Sequence, residues 1–268
     1  RAAGNLDLGA VTSPGNFSLT ARDGNIRVKG DINVANLRLD ASNSGYNTTG
    51  DVIIQASGGA RSVTASGASY LYAGHDFKIL AGAAGGENVS VQAGYTDAYV
   101  GHDFMVKGDG GSALLNQATT SSQTINAGHD IVIQGGSAAI AGASAAITSS
   151  GSQNLYSGNN LLIQAGSADG ASAKVQATSS QTVSTGGNVS VLGGAGVGSS
   201  AALQGSDLSM TTLQGGLTVQ GGSGANALAE IVSTSGGQSI GNQNNPYYYN
   251  NPTDFILVQG GGGTGAYA

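Results

Sequence analysis

Three histidine-aspartate pairs recur in the chain, in GHDFKIL from Gly74, GHDFMVK from Gly101 and GHDIVIQ from Gly128, at an interval of 27 residues. An imidazole beside a carboxylate is the combination used for general acid-base catalysis and for holding a divalent metal ion. If the repeats stack, His75, His102 and His129 form one column and Asp76, Asp103 and Asp130 another, with imidazoles ~5 Å apart as in neighbouring strands. The histidines are then the candidate metal ligands. Their stacking also predicts that the corner loosens at low pH, as like charges accumulate.

The following copies weigh against that chemistry. They replace the pair by Asn159 and Asn160 after Gly158, then by Gly187 and Asn188, then by Gly215 and Gly216. What Asp, Asn and Gly share is turn chemistry, since they bond their own turn or accept a left-handed backbone; they do not share ligand chemistry. Gly74, Asp76, Gly101, Asp103, Gly128, Asp130, Gly158 and Asn160 therefore read as structural corners, with glycine supplying positive φ. Neither a catalytic residue nor a cofactor is expected.

The repeat is what positions these residues. The first apolar residues after each corner are Phe77, Phe104, Ile131, Leu161, Val189 and Leu217, at intervals of 27, 27, 30, 28 and 28. Apolar residues alternate at i, i+2, as in Val189/Val191, so strands are predicted and helices are not. Two further apolar columns are expected. One runs through Val63, Ser90, Gln117, Ile147, Val175, Leu203 and Val232, the other through Leu71, Ala98, Ile125, Leu155, Val183, Thr211 and Ile240. Between them runs a polar column of Ser69, Thr96, Gln123, Gln153, Gln181, Ser209 and Gln238, whose glutamines would form an amide ladder if they face inward.

Leu6 to Ile26 and Phe17 to Leu37 are each 20 residues, so the first coils are shorter. A unit of about three short strands cannot bury its apolar face alone; stacking each unit on the next buries one continuous core. The expected fold is all-β, a right-handed parallel β-helix with coils of about 20 and then 27–30 residues, the hand following from the general preference of parallel crossovers. Residues 1–268 form a single rod in this reading.

Composition agrees. Of 268 residues 47 are glycine, three are proline and none is cysteine, while 39% are hydrophobic and only 9% charged. A net charge of −6 with nine Lys and Arg leaves no basic stripe for phosphates, so no nucleic-acid partner is expected. Apolar runs stop well short of the ~20 residues of a membrane-spanning helix. Arg22, Asp23, Arg27, Lys29 and Asp31 form the only dense charge group, and their mixed signs read as a solvated edge. GGAGVG (193–198) lacks the Lys-Ser/Thr of a phosphate loop. Leu217 to Phe255 is 38 residues, and the surplus holds NQNNPYYYNNP. A protruding loop near 241–253 is predicted there, with Tyr247, Tyr248 and Tyr249 as candidate ligand contacts.

Segments such as SSQTINAGHDIVIQGG (121–136) and SSQTVSTGGNVSVLGG (179–194) resemble the repeats of filamentous-haemagglutinin-like exoproteins, bacterial adhesins exported by two-partner secretion. The shared pattern, apolar-x-Ala-Gly-x-Asp/Asn-apolar, spans nearly the whole chain. The resemblance implies a β-helical rod displayed on, or released from, the outer membrane through an outer-membrane transporter, acting in adhesion, aggregation or biofilm matrix. The Asn-Pro-Asn-Leu and Asn-Pro-Asn-Gly-Ile motifs of the family's amino-terminal secretion domain do not occur, so an internal section of a longer rod is expected. Its expected location is extracellular or on the bacterial surface. Its expected partners are a polysaccharide, a cell-surface receptor, or further copies end to end. A carbohydrate-binding module and a polysaccharide-degrading enzyme are the alternatives.

Overall fold

Each coil passes through three short strands and returns beneath itself, and every paired strand in the computed structural model is parallel to its partner. The structure describes residues 2–42, 49–137, 140–242 and 255–268. Among them there is no helix. A first face contains Ala113–Gln117, Ser144–Ser149, Ser172–Ala177, Ser200–Gly205 and Leu228–Ser233. A second contains Asn36–Ala41, Gln123–Ala127, Gln153–Ser157, Ser180–Thr185 and Asp207–Thr212. Arg61–Ala73 and Val89–Val100 are long enough to run through both, which joins the two faces into one 17-stranded sheet. The third face is a separate ten-stranded sheet from Leu6–Leu8 to Ile256–Gln259. Ten levels at the ~4.8 Å spacing of strands make a stack about 45 Å tall. The architecture is the parallel β-helix that the repeat predicts.

The period-two pattern produces this because alternate side chains of a strand point to opposite faces. Phe77/Ile79, Phe104/Val106, Ile131/Ile133 and Leu161/Ile163 enter the core and are essentially inaccessible to solvent. Phe77 and Phe104 stack with centroids 5.3 Å apart. The intervals predicted from Phe77 to Leu217 are the pairing register of this face. Leu6 pairs with Ile26 and Phe17 with Leu37, as the 20-residue spacing predicts. Ile26 then pairs with Val52 and Val52 with Phe77, so the coils lengthen through intermediates of 26 and 25 residues.

Elsewhere the register differs from expectation. The first-face column runs Val63, Val91, Leu115, Ile147, Val175, Leu203 and Ile231, in place of Ser90, Gln117 and Val232. On the second face Gln181 pairs with Leu208 and Val183 with Met210, not with Ser209 and Thr211. Leu217 pairs with Ile256, and Phe255 lies just outside the strand. The cause is a corner of variable length between the faces, while a slip of one residue turns every side chain over. Within Val89–Val100 the slip is visible as an irregularity between Ala93 and Tyr95.

The polar column is only partly the predicted ladder. Gln123, Gln153 and Gln181 are fully buried, and the Gln153 amide donates to Gln123 Oε1. The Gln181 amide has no partner among the described residues, and Gln238 is exposed.

Two kinds of glycine shape the corners. Positive φ occurs where the third face turns into the first, at Gly86, Gly142, Gly170 and Gly198, with Asn226 in the same conformation one coil later, and at the corner between the second and third faces in the early coils, at Gly4, Asp23 and Gly50. GGAGVG (193–198) is one such turn into the first face. The corner glycines Gly101, Gly128 and Gly158 do not have positive φ; a Cβ there would lie 2.0–2.3 Å from the carbonyl oxygen of the glycine one coil before. Their need for glycine is close approach between stacked backbones, not left-handed conformation.

Candidate functional site

The corner between the second and third faces brings the histidines together as predicted. His75 and His102 stack at 4.7 Å with 3° between planes, and His102 and His129 at 4.6 Å with 7°. The carboxylates are interleaved with them. Nδ1 of His75, His102 and His129 lies 3.1, 3.0 and 2.8 Å from Oδ1 of Asp51, Asp76 and Asp103, each one coil earlier.

The same oxygens accept the backbone N–H of Asp76, Asp103 and Asp130, all at 3.1 Å. The series continues in both directions. Asn25 N–H donates to Asn5 and Asp51 N–H to Asn25; Asn160 N–H donates to Asp130, Asn188 N–H to Asn160 and Gly216 N–H to Asn188. One side-chain oxygen per coil thus satisfies the corner amide of the next. That requirement explains why Asp and Asn interchange here: either presents an acceptor oxygen in the same place.

Electrostatics follow from the interleaving. Burial of Asp76 pushes its pKa up, but hydrogen bonds from Lys78, the Asp103 amide and His102 outweigh this and hold it below the ordinary carboxylate value. Lys78 Nζ is 2.8 Å from Asp76 Oδ2. The bond to Asp103 raises the pKa of His129, aided by the charge of Asp130. At His129 the hydrogen bond accepted by Asp103 therefore favours the protonated ring, a contribution opposite in sign to the low-pH repulsion expected from the sequence.

His75, Asp76 and His102, and likewise His102, Asp103 and His129, place ligand atoms within 4.8 Å of one another. Imidazole lone pairs lie in the ring planes, and near-parallel rings aim them side by side, not at a shared ion. Each Nδ1 is also committed to a carboxylate. The arrangement suits hydrogen bonding along the stack better than chelation.

The predicted Tyr247, Tyr248 and Tyr249 lie outside the described residues. A different set of tyrosines, not singled out from the sequence, forms a platform on the outer side of the second face. One outward column runs Arg38, Tyr70, Asp97, Thr124 and Asn154. Beside it run Asp40, Tyr72, Tyr99, Asn126 and Tyr156. Tyr72 and Tyr99 stack at 5.9 Å, Tyr70 and Tyr95 meet edge to face at 6.1 Å, and the Arg38 guanidinium sits 4.5 Å above the Tyr72 ring. Tyr99 is 47% exposed, Tyr156 38% and Tyr70 36%.

Burial raises the pKa of Tyr72 and Tyr95, with the Asp97 charge adding to it. Burial also raises that of Asp97. The sequence signal was present in YLY (70–72) and DAY (97–99), where tyrosines take the outward phase of alternating strands. Such a surface offers aromatic faces and polar tips in repeated register, which suits an extended ligand lying across several coils. No family model matches the chain, and no curated protein and no solved structure matches it.

Proposed function

We propose that the protein is the adhesive rod of an extracellular bacterial surface or matrix protein, and that it holds polysaccharide on the tyrosine platform of its second face. The observation that carries the reading is Tyr70, Tyr72, Tyr95, Tyr99 and Tyr156 on one outer face of a stacked scaffold, with Tyr70, Tyr99 and Tyr156 open to solvent and Tyr72 and Tyr95 half-buried beside them. Pyranose rings present C–H faces that stack on tyrosine, and hydroxyls that Asn126, Thr124 and the phenols can meet. Resemblance of the repeats to filamentous-haemagglutinin-like exoproteins supports export through an outer-membrane transporter and a role in adhesion or biofilm matrix.

Hydrolysis calls for a pair of carboxylates flanking the scissile bond. On this face Asp97 stands among tyrosines, whereas Asp40 is held by Arg38 at 2.6 Å and by the Ser42 hydroxyl at 2.6 Å. The test is retention of the protein by polysaccharides cast into native gels, with an assay for new reducing ends on the same mixtures. Retention without new ends is the expected result. Cleavage would make the face an active site, and no retention on any polymer would remove the adhesive reading.

A further inference from the structure

Among the described residues, Asp97 is the one acid of the platform without a partner. On other surfaces, Asp7 pairs with Lys29 at 2.6 Å and Asp76 with Lys78 at 2.8 Å, and on this face Asp40 pairs with Arg38. Among the described residues, the Asp97 carboxylate has neither an ion pair nor a hydrogen bond, although its register neighbours are Tyr70 in the coil before and Thr124 in the coil after. Tyr95 and Tyr99 lie two residues to either side and point the same way, as alternate residues of a strand do. The nearest platform cation, Arg38, is committed to Asp40 and to the Tyr72 ring.

A carboxylate partly removed from water by aromatic neighbours and given nothing in exchange is an unfavourable arrangement on its own. Burial raises its pKa accordingly. An incoming cation reverses the balance. It would pair with the carboxylate, and the tyrosine faces around it would attract the same positive charge through their quadrupoles. The chain as a whole, at a net charge of −6, favours a cationic ligand over an anionic one. Because the contacts repeat along the stack, a linear polymer gains more from the face than a small molecule does.

Resting on the adhesive reading above, we infer that the platform selects a polysaccharide bearing free amino groups, with Asp97 receiving a sugar ammonium between the Tyr70/Tyr95 and Tyr72/Tyr99 pairs.

The experiment measures retention of the full chain at pH 6 on three polymers of matched length: deacetylated poly-glucosamine, its N-acetylated form and a neutral β-glucan. Three variants accompany the wild type: Asp97→Asn, a charge-matched control Asp109→Asn away from the platform, and Tyr72→Ser/Tyr99→Ser. The expected result is at least tenfold stronger retention on the deacetylated polymer, lost in Asp97→Asn and kept in Asp109→Asn. The Asp97→Asn protein should melt no lower than wild type, since it removes an unpaired charge and no contact. Equal weakening by both Asp variants would mean non-specific attraction and would overturn the inference. Equal retention on acetylated and deacetylated polymer, abolished in the tyrosine variant, would overturn it while leaving the adhesive reading intact. No retention on any of the three polymers would overturn both.

Discussion

His129 and Asp76 give the corner a pH window with two different edges. The raised His129 pKa comes first from its bond to Asp103, so the folded state favours the imidazolium. That stabilisation is fully present below the unfolded histidine value of about 6.5 and is lost as pH rises through the folded value. Asp76 titrates with the opposite sign. Its lowered pKa contributes stability above the unfolded carboxylate value of about 3.9, which is lost as pH falls through the folded value. Between those limits, roughly pH 4 to 6.5, both contributions act together. NMR titration should place the His129 midpoint above that of a free histidine, and Asp103→Asn should lower it. An unchanged midpoint in that variant would show that the bond to Asp103 does not set the proton's affinity.

At the scale of the strand and its corner, the column of acceptor oxygens from Asn5 to Asn188 predicts a specific tolerance. Asp76→Ala takes the acceptor from the Asp103 amide and leaves Lys78 only its longer contact to Asp51 at 3.8 Å, and leaving this part-buried donor unsatisfied costs about 1 kcal/mol. Asp76→Asn keeps an oxygen for the amide, as Asn160 and Asn188 do in later coils. Urea unfolding should therefore separate the two variants, with Asn well above Ala; equal losses would mean that the ion pair with Lys78, and not the amide bond, carries the contribution.

The same scale separates what was legible in the sequence from what was not. Phe77 to Leu217 could be aligned because each apolar pair directly follows its corner, so no variable segment intervenes. Val91, Leu115, Leu208 and Met210 are not legible in this way, because each lies beyond a corner whose length changes from coil to coil. Ile256, and not the Phe255 beside it, pairs with Leu217 for the same reason, after the longest insertion. The histidine column was legible from its spacing. Asp51, which completes it, was not, because no histidine precedes it and only the fold brings it beneath His75.

For the molecule as a whole, a continuous inner core leaves each outer face free to differ. Inward positions repeat because every coil must fill the same cross-section, as Phe77 over Phe104 and Ile131 over Leu161 show. Outward positions carry no such constraint. Tyr72 and Tyr99 are followed in their column by Asn126, Tyr156 and Ser184, a change of chemistry that periodicity cannot foretell. Under the proposed function, the His/Asp corner is scaffold and the tyrosine face is the recognition surface.

That division is tested most directly by polysaccharide retention of two variants beside wild type, Tyr72→Ser/Tyr99→Ser on the face and His102→Asn at the corner, each first shown to keep the β-sheet circular dichroism of the parent. Retention should be lost in the face variant and unchanged in the corner variant. Retention that survives the face variant and disappears with His102→Asn would contradict that division.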